Sequence, residues 1–341
     1  MRALILCFGI LGMLVEAGAA PAPELDALFQ RTNGWIGADG DYSIQLTSRT
    51  TLWLFGDTVI GQVRNGKRVN ATMVNNSIAL QPIGGRPRLF YRINSEGGPA
   101  SVFQPVEPAN SFFWPWDGIR TDRGLFVFLM QVRHTAEKSV WGFEVFGTAL
   151  AFVPNPDAPP QDWKITLRKV PFKSFGWAVL QDANFIYVYG SARARGGSVL
   201  ARAPEAALDD FGQWRFYENG QWVETADHAT PVIPETPPEG SVRWLPSLRR
   251  FVAVYSPDIS GDIVMRTAEA PAGPWIDRRV VYQCLEGKQS RSFFCYAGKM
   301  HPELSQPGEL IVTYAVNSSD FSDLFSDAQL YWPRFVRLKL P

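Results

Sequence analysis

The stretch GWIGADGDYSIQLTSRTTLWLFGDTVIG, residues 34–61, holds two alternating runs, Tyr42–Leu46 and Thr51–Phe55, on either side of a polar Thr-Ser-Arg turn. Alternation of period two across a short turn predicts a β-hairpin. Facing residues in an antiparallel pair have a constant index sum. A turn centred on Ser48 therefore sets 45 against 51, 43 against 53 and 39 against 57. Asp39 then lies beside Asp57, with Cβ atoms about 4.5–5.5 Å apart in a regular ladder. Like charges at that spacing repel, and a chain that keeps them there marks a candidate functional site. Asp-Gly and Gly-Asp also form turns, so Asp39, Asp41 and Asp57 could instead satisfy loop amides. The pairing, and the aromatic surroundings of Trp35, Trp53 and Phe55, weigh against that simpler role.

The run LWLFG at 52–56 recurs in kind as LFVFL at 125–129, FIYVYG at 185–190, FVAVY at 251–255 and LIVTY at 310–314. Each follows a turn, and another strand candidate precedes each turn: Asp41–Leu46, Phe112–Ile119, Trp177–Leu180, Ser241–Leu245 and Met300–Leu304. Third strands are expected at Ser77–Pro82, Phe143–Val153, Ser198–Ala203, Ile263–Thr267 and Phe335–Leu340. Four units offer a fourth strand, at Arg88–Ile93, Lys164–Val170, Trp214–Tyr217 and Arg279–Tyr282. Four-stranded antiparallel units at a long, regular period predict an all-β fold, a five-bladed β-propeller. The fifth unit stops at Pro341 after three strands, so Glu24–Arg31 is the candidate for its missing edge strand. A β-sandwich with long loops is the alternative.

Arg2, the apolar run Ala3–Val15 and the small residues 17–20 form a secretory signal peptide, expected to be cleaved near Ala20 or Ala22. Residues 1–20 are thus a leader and 21–341 a single propeller domain, since no linker or charge run divides the chain. The apolar run is too short to span a bilayer and no other follows, so export to a periplasm or the medium without a membrane anchor is expected. Cys7 leaves with the leader. Cys284 and Cys295 could form one disulfide in an oxidising compartment, or remain two buried thiols. Lys and Arg number 33, as do Asp and Glu, so the basic footprint of a nucleic-acid partner is absent. The mature chain is expected to act as a monomer.

First strands of propeller blades line a central channel. Those of this chain carry Asp39 and Asp41, then Trp114, Trp116 and Asp117, then Glu239 and Ser241 in EGSVRW, then His301 and Glu303 in HPEL. Carboxylates beside flat aromatic faces suit sugar rings, which present both C–H faces and hydroxyls. Trp35, Asp41, Trp114, Trp116, Asp117, Ser241, His301 and Glu303 are therefore candidate substrate contacts. His301 could alternatively serve a channel ion or cap a strand, and Asp117 could be a turn residue. There is no G-x-S-x-G elbow, no H-E-x-x-H and no paired C-x-x-C, so neither an α/β-hydrolase site nor a metal or other cofactor is expected.

W-x-G-A-D-G-x-Y-S at 35–43 and L-W-L-F-G-D-T at 52–58 resemble a family of five-bladed propellers long carried as a domain of unknown function. Some members of that family are endo-D-arabinanases of glycoside hydrolase family 183. GSVRW…FVAVYS, APAGPW, CYAGKMHPEL and LYWPRFVRL are similar in spacing too, so the resemblance runs from about Gly34 to Leu340. It implies an enzyme cutting a furanose polysaccharide such as mycobacterial arabinan, with Asp39 and Asp57 as the catalytic pair. Analogy with more distant furanosidase propellers adds Glu239 as a third carboxylate. Glycoside hydrolysis needs one carboxylic acid and one carboxylate: about 5–5.5 Å apart for retention, about 6.5–9.5 Å for inversion. Cross-strand facing predicts the shorter spacing. A sugar-binding propeller without catalysis is the rival function, and a protein-interaction propeller a second.

Overall fold

The computed structural model describes residues 18–106, 108, 110–192, 196–235, 237 and 239–341. The chain is all-β. The expected leader lies outside these residues except for 18–20.

Five antiparallel sheets follow one another along the chain, each with its strands in meander order. Sheet 1 comprises Tyr42–Thr47, Thr50–Phe55, Ser77–Pro82 and Arg88–Phe90. Sheet 2 comprises Ser111–Thr121, Gly124–His134, Phe143–Val153 and Thr166–Val170. Sheet 3 comprises Phe175–Asp182, Phe185–Ala192, Gly197–Pro204, Arg215–Glu218 and Gln221–Val223. Sheet 4 comprises Gly240–Leu245, Arg250–Tyr255, Asp262–Ala268 and Ile276–Gln283. Sheet 5 comprises Phe293–Met300, Glu309–Ser318 and Arg334–Lys339, with Ala19–Pro21 as its outer strand. The five repeated apolar runs are the second strands. They are buried on both faces because neighbouring sheets cover them, which is why they read as continuous rather than alternating.

First strands of consecutive sheets touch, from sheet 1 through sheet 5. Sheet 5 reaches back to sheet 1 through His301 Nδ1, 2.6 Å from Ser43 Oγ, and through Tyr296, whose hydroxyl donates to Asp39. The disulfide Cys284–Cys295 ties the end of sheet 4 to the first strand of sheet 5.

Two expectations need correction, and one sheet is additional. Pro23–Phe29 is an α-helix, not an edge strand. Proline in its first turn, acids at Glu24 and Asp26, and apolar Leu25, Leu28 and Phe29 at helical spacing favour that choice. The edge strand is Ala19–Pro21, which spans the expected cleavage region. The first strand of sheet 5 is Phe293–Met300 rather than Met300–Leu304, because Pro302 opens a 3₁₀ turn immediately after His301. Finally, a three-stranded sheet of Asn33–Ala38, Thr58–Arg64 and Lys67–Val74 continues the opening hairpin beyond the acids.

The hairpin register is as the index sum requires: Ser43 faces Trp53 and Gln45 faces Thr51. The same sum pairs Ala38 with Thr58 in the additional sheet. Asp39 and Asp57 lie where one ladder hands over to the other. There Gly56 N donates to Asp39 O at 2.9 Å, and Asp39 N approaches Asp57 O at 3.4 Å.

Candidate functional site

At this junction the backbone leaves the ladder to aim two carboxyls outward. Gly40 adopts φ +91°, where a Cβ would lie 2.8 Å from Gly56 N. Gly56 leaves room for the acid itself, since a Cβ there would meet Asp39 Oδ1 at 2.5 Å. Asp39 Oδ2 accepts from the Tyr296 hydroxyl, and Tyr331 supplies a second phenolic hydrogen bond to the same carboxyl. Asp57 Oδ1 accepts from Trp114 Nε1 at 2.8 Å and from Asn75 Nδ2 at 3.1 Å.

Burial pushes the Asp39 carboxyl up to about 7, and the charges of Asp57 and Glu239 add to the rise. Burial also pushes Asp57 up, to about 6, with the indole and amide hydrogen bonds holding it back. One member of the pair thus keeps its proton near neutral pH more readily than the other. Glu239 lies just ahead of sheet 4 and pairs with the buried Lys299 at 2.5 Å. Lys299 in turn sits 4.3 Å over the Tyr42 ring.

Asp39, Asp57, Glu239, Trp114 and Trp116 line one cavity of about 1730 Å³. Trp35, Asp41, Asp117, Ser241, His301 and Glu303 do not line it. Trp35 is buried against Phe55 and Trp332, its Nε1 donating to Ser77 Oγ at 3.0 Å. Asp117 takes a two-pronged bond from Arg243 at 2.8 and 3.0 Å and accepts Val179 N at 2.8 Å, tying the first strands of sheets 2, 3 and 4. Ser241 Oγ accepts from Met300 N at 2.8 Å. His301 is clasped between Ser43 and Thr313, 2.7 Å from the latter, and burial pushes its pKa well down, leaving a neutral ring. Glu303 hydrogen-bonds Ser43 beside Arg243. Asp117, Ser241, His301 and Glu303 are thus spent on neighbouring strands: a buried residue on a first strand satisfies its neighbours rather than a ligand. Asp41, at φ +53°, is fully buried with neither carboxylate oxygen bonded within the protein. Burial drives its pKa well up.

Several contributors carried no signal that sequence reading used. Tyr296 lies in CYAGKM and Tyr331 in LYWPRF, segments noted for their spacing alone. Asn75, His134, Trp141, Phe294 and Phe321 also line the cavity. They come from loops and strand ends whose approach to Asp39 depends on how the sheets are arranged.

Residues 23–340 match the family model described as a domain of unknown function, DUF5005. No curated protein matches the chain in sequence. Among solved structures, a provisionally named hydrolase from Bacteroides ovatus ATCC 8483 superposes with TM-score 0.78 at 19% identity, covering 94% of this chain and 90% of that one. A GH43_1 enzyme from Xanthomonas citri complexed with xylotriose gives TM-score 0.52 at 13% identity, over 95% and 90% of the two chains. An exo-β-1,3-galactanase from Phanerochaete chrysosporium with β-1,3-galactotriose gives 0.53 at 10% identity, over 91% and 63%. At these identities the likeness is one of fold.

Proposed function

The chain belongs to the DUF5005 family, whose description names no chemistry, and we propose from its site that it is a glycoside hydrolase cutting a furanose polysaccharide. The observation that carries this reading is the buried pair Asp39 and Asp57, two carboxyls with unequal proton affinities at the floor of an aromatic cavity. That is the equipment glycosidic cleavage needs. The fold shared with enzymes solved with xylotriose or galactotriose supports it.

Asp39, the member that holds its proton, is assigned to protonate the leaving oxygen. Asp57, held by two neutral donors, is the nucleophile or base. Glu239, paired to Lys299, acts on the charge of the site: its field helps to keep Asp39 protonated. D-arabinan is the proposed polymer, on the strength of the family resemblance. The same proposal takes the five sheets as five blades of a propeller, and the disulfide fits an exported chain.

The deciding experiment is product analysis on D-arabinan, L-arabinan and xylan, with wild type beside Asp57→Asn. Oligosaccharides released by the first and not the second are expected. Release that survives the substitution would move the catalytic pair elsewhere, and binding without release would favour a lectin. The kcat/KM profile is expected to be a narrow bell. It should rise near pH 6 as the pair loses its first proton and fall near pH 7 as it loses the second. Full activity at pH 9 would remove Asp39 from the acid role. Gly56→Ala is expected to lower kcat at least about tenfold with the fold intact. Its methyl group would displace the Asp39 carboxyl, and misplacement of about 1 Å can cost up to 10²-fold.

A further inference from the structure

We infer that two tracks of aromatic side chains lead out of the cavity from the two carboxyls to one loop, and that exposed Trp141 on that loop, with Phe321 on the same rim, holds sugar rings beyond the bond being cut. This inference rests on the hydrolase reading above and adds the residues that would select polymer over short fragments.

The first track starts at Asp39. Tyr296 holds that carboxyl, Phe294 lies 5.5 Å from Tyr296, and Trp141 lies 5.4 Å from Phe294 at a 35° tilt. Trp141 is carried by the hairpin loop between the second and third strands of sheet 2, whereas Phe294 belongs to sheet 5. The loop therefore sets a ring from sheet 2 against sheet 5 and extends the cavity wall with a third ring. The second track starts at Asp57. Trp114 donates to that carboxyl, and Phe143 packs edge-on at 4.7 Å from Trp114.

Most aromatic side chains here are buried in the core, but Trp141 is 45% exposed and Phe321 is 47% exposed, and both line this cavity. Ile259 and Val145, also exposed, complete an apolar rim drawn from sheets 2, 4 and 5. Leaving large apolar faces in water at the mouth of a pocket is unfavourable unless a ligand covers them. Sugar rings have the matching C–H faces. Both tracks end on one loop, at Trp141 and Phe143, so a chain longer than the residues at the carboxyls would be gripped there.

The test compares wild type, Trp141→Ala, Phe321→Ala, the double variant and Trp141→Phe on arabino-oligosaccharides of increasing length and on polymer. The double variant is expected to lose at least about tenfold in kcat/KM on polymer while the shortest cleavable fragment changes by less than about twofold, with Trp141→Phe largely restoring the loss. Equal losses at every length, or none, would overturn the track. Binding of the same series to the Asp39→Asn background separates the two proposals. If wild type cleaves nothing, the hydrolase reading falls. Length-dependent affinity lost with Trp141→Ala would still support the track, and length-independent or absent binding would sink it as well.

Discussion

Asp39→Asn is expected to lower kcat on the natural glycan by about 10³-fold or more, the range that loss of a positioned general acid produces. Part of this loss should return on aryl furanosides, whose leaving groups need little protonation. A variant equally inactive on both would point to a nucleophilic or structural role for Asp39. The same substitution should stabilise the protein. The folded-state pKa, about 7, lies above the ordinary 3.8, so the folded chain binds the proton more tightly than the unfolded one. The contribution of Asp39 to stability therefore falls as pH rises from about 4 to about 7. Above pH 7 the buried charge costs about 2–4 kcal/mol. Asparagine removes that cost while its amide oxygen can still accept from Tyr296. Denaturant midpoints should favour the variant most at pH 8, by less at pH 5, and converge with wild type only below about pH 4. A midpoint gain that grew towards low pH would contradict the placement of the group.

The largest loss of stability is expected at Arg68. It is almost wholly buried, and it donates to four backbone carbonyls: Ile36 at 2.9 Å, Leu324 at 2.5 Å, Asp327 at 3.3 Å and Leu330 at 2.6 Å. It also lies over the Trp332 ring at 5.4 Å. Burial draws its pKa down to about 10, so it stays charged at neutral pH. One guanidinium thereby fixes residues 324–332, the segment that carries Tyr331 to Asp39. Arg68→Ala strands several buried carbonyls at once and is expected to cost about 4 kcal/mol, at the exceptional end for one substitution. The activity pH profile of whatever folds should broaden as Tyr331 loosens. A urea midpoint within about 1 kcal/mol of wild type would show that water can replace the side chain.

Much of this was legible in residues 34–61. The period-two pattern and the turn at Ser48 fix the register that brings Asp39 beside Asp57, because a β-ladder is local and its pairing follows from counting. The five apolar runs mark the second strands for a similar reason: burial on both faces leaves a compositional trace. Strand order around the axis leaves none. His301 and Asp117 share an inward-facing pattern with Trp114, yet only Trp114 reaches the cavity. Depth along the axis depends on the bulge between Pro115 and Gly118 and on where Pro302 stops a strand. Tyr296 and Tyr331 were hidden for a related reason. A phenol in a buried strand looks like core until the carboxyl it serves arrives from the other end of the chain.

Ala19–Pro21 pairs with residues 336–338 of the last strand, and Lys339 N closes onto Gly18 O at 3.0 Å. The helix at Pro23–Phe29 is held by the same strand, Asp26 accepting from Phe335 N at 2.8 Å. The fifth sheet therefore joins residues 19–21 to residues 336–338, contacts that are far apart along the sequence. Loop-closure entropy defers such contacts to the end of folding. Tyr296 and Tyr331 belong to that sheet and the segment entering its last strand. The first four sheets rest on nearer contacts, but the Asp39 carboxyl gains its two phenolic hydrogen bonds only once the fifth sheet has formed.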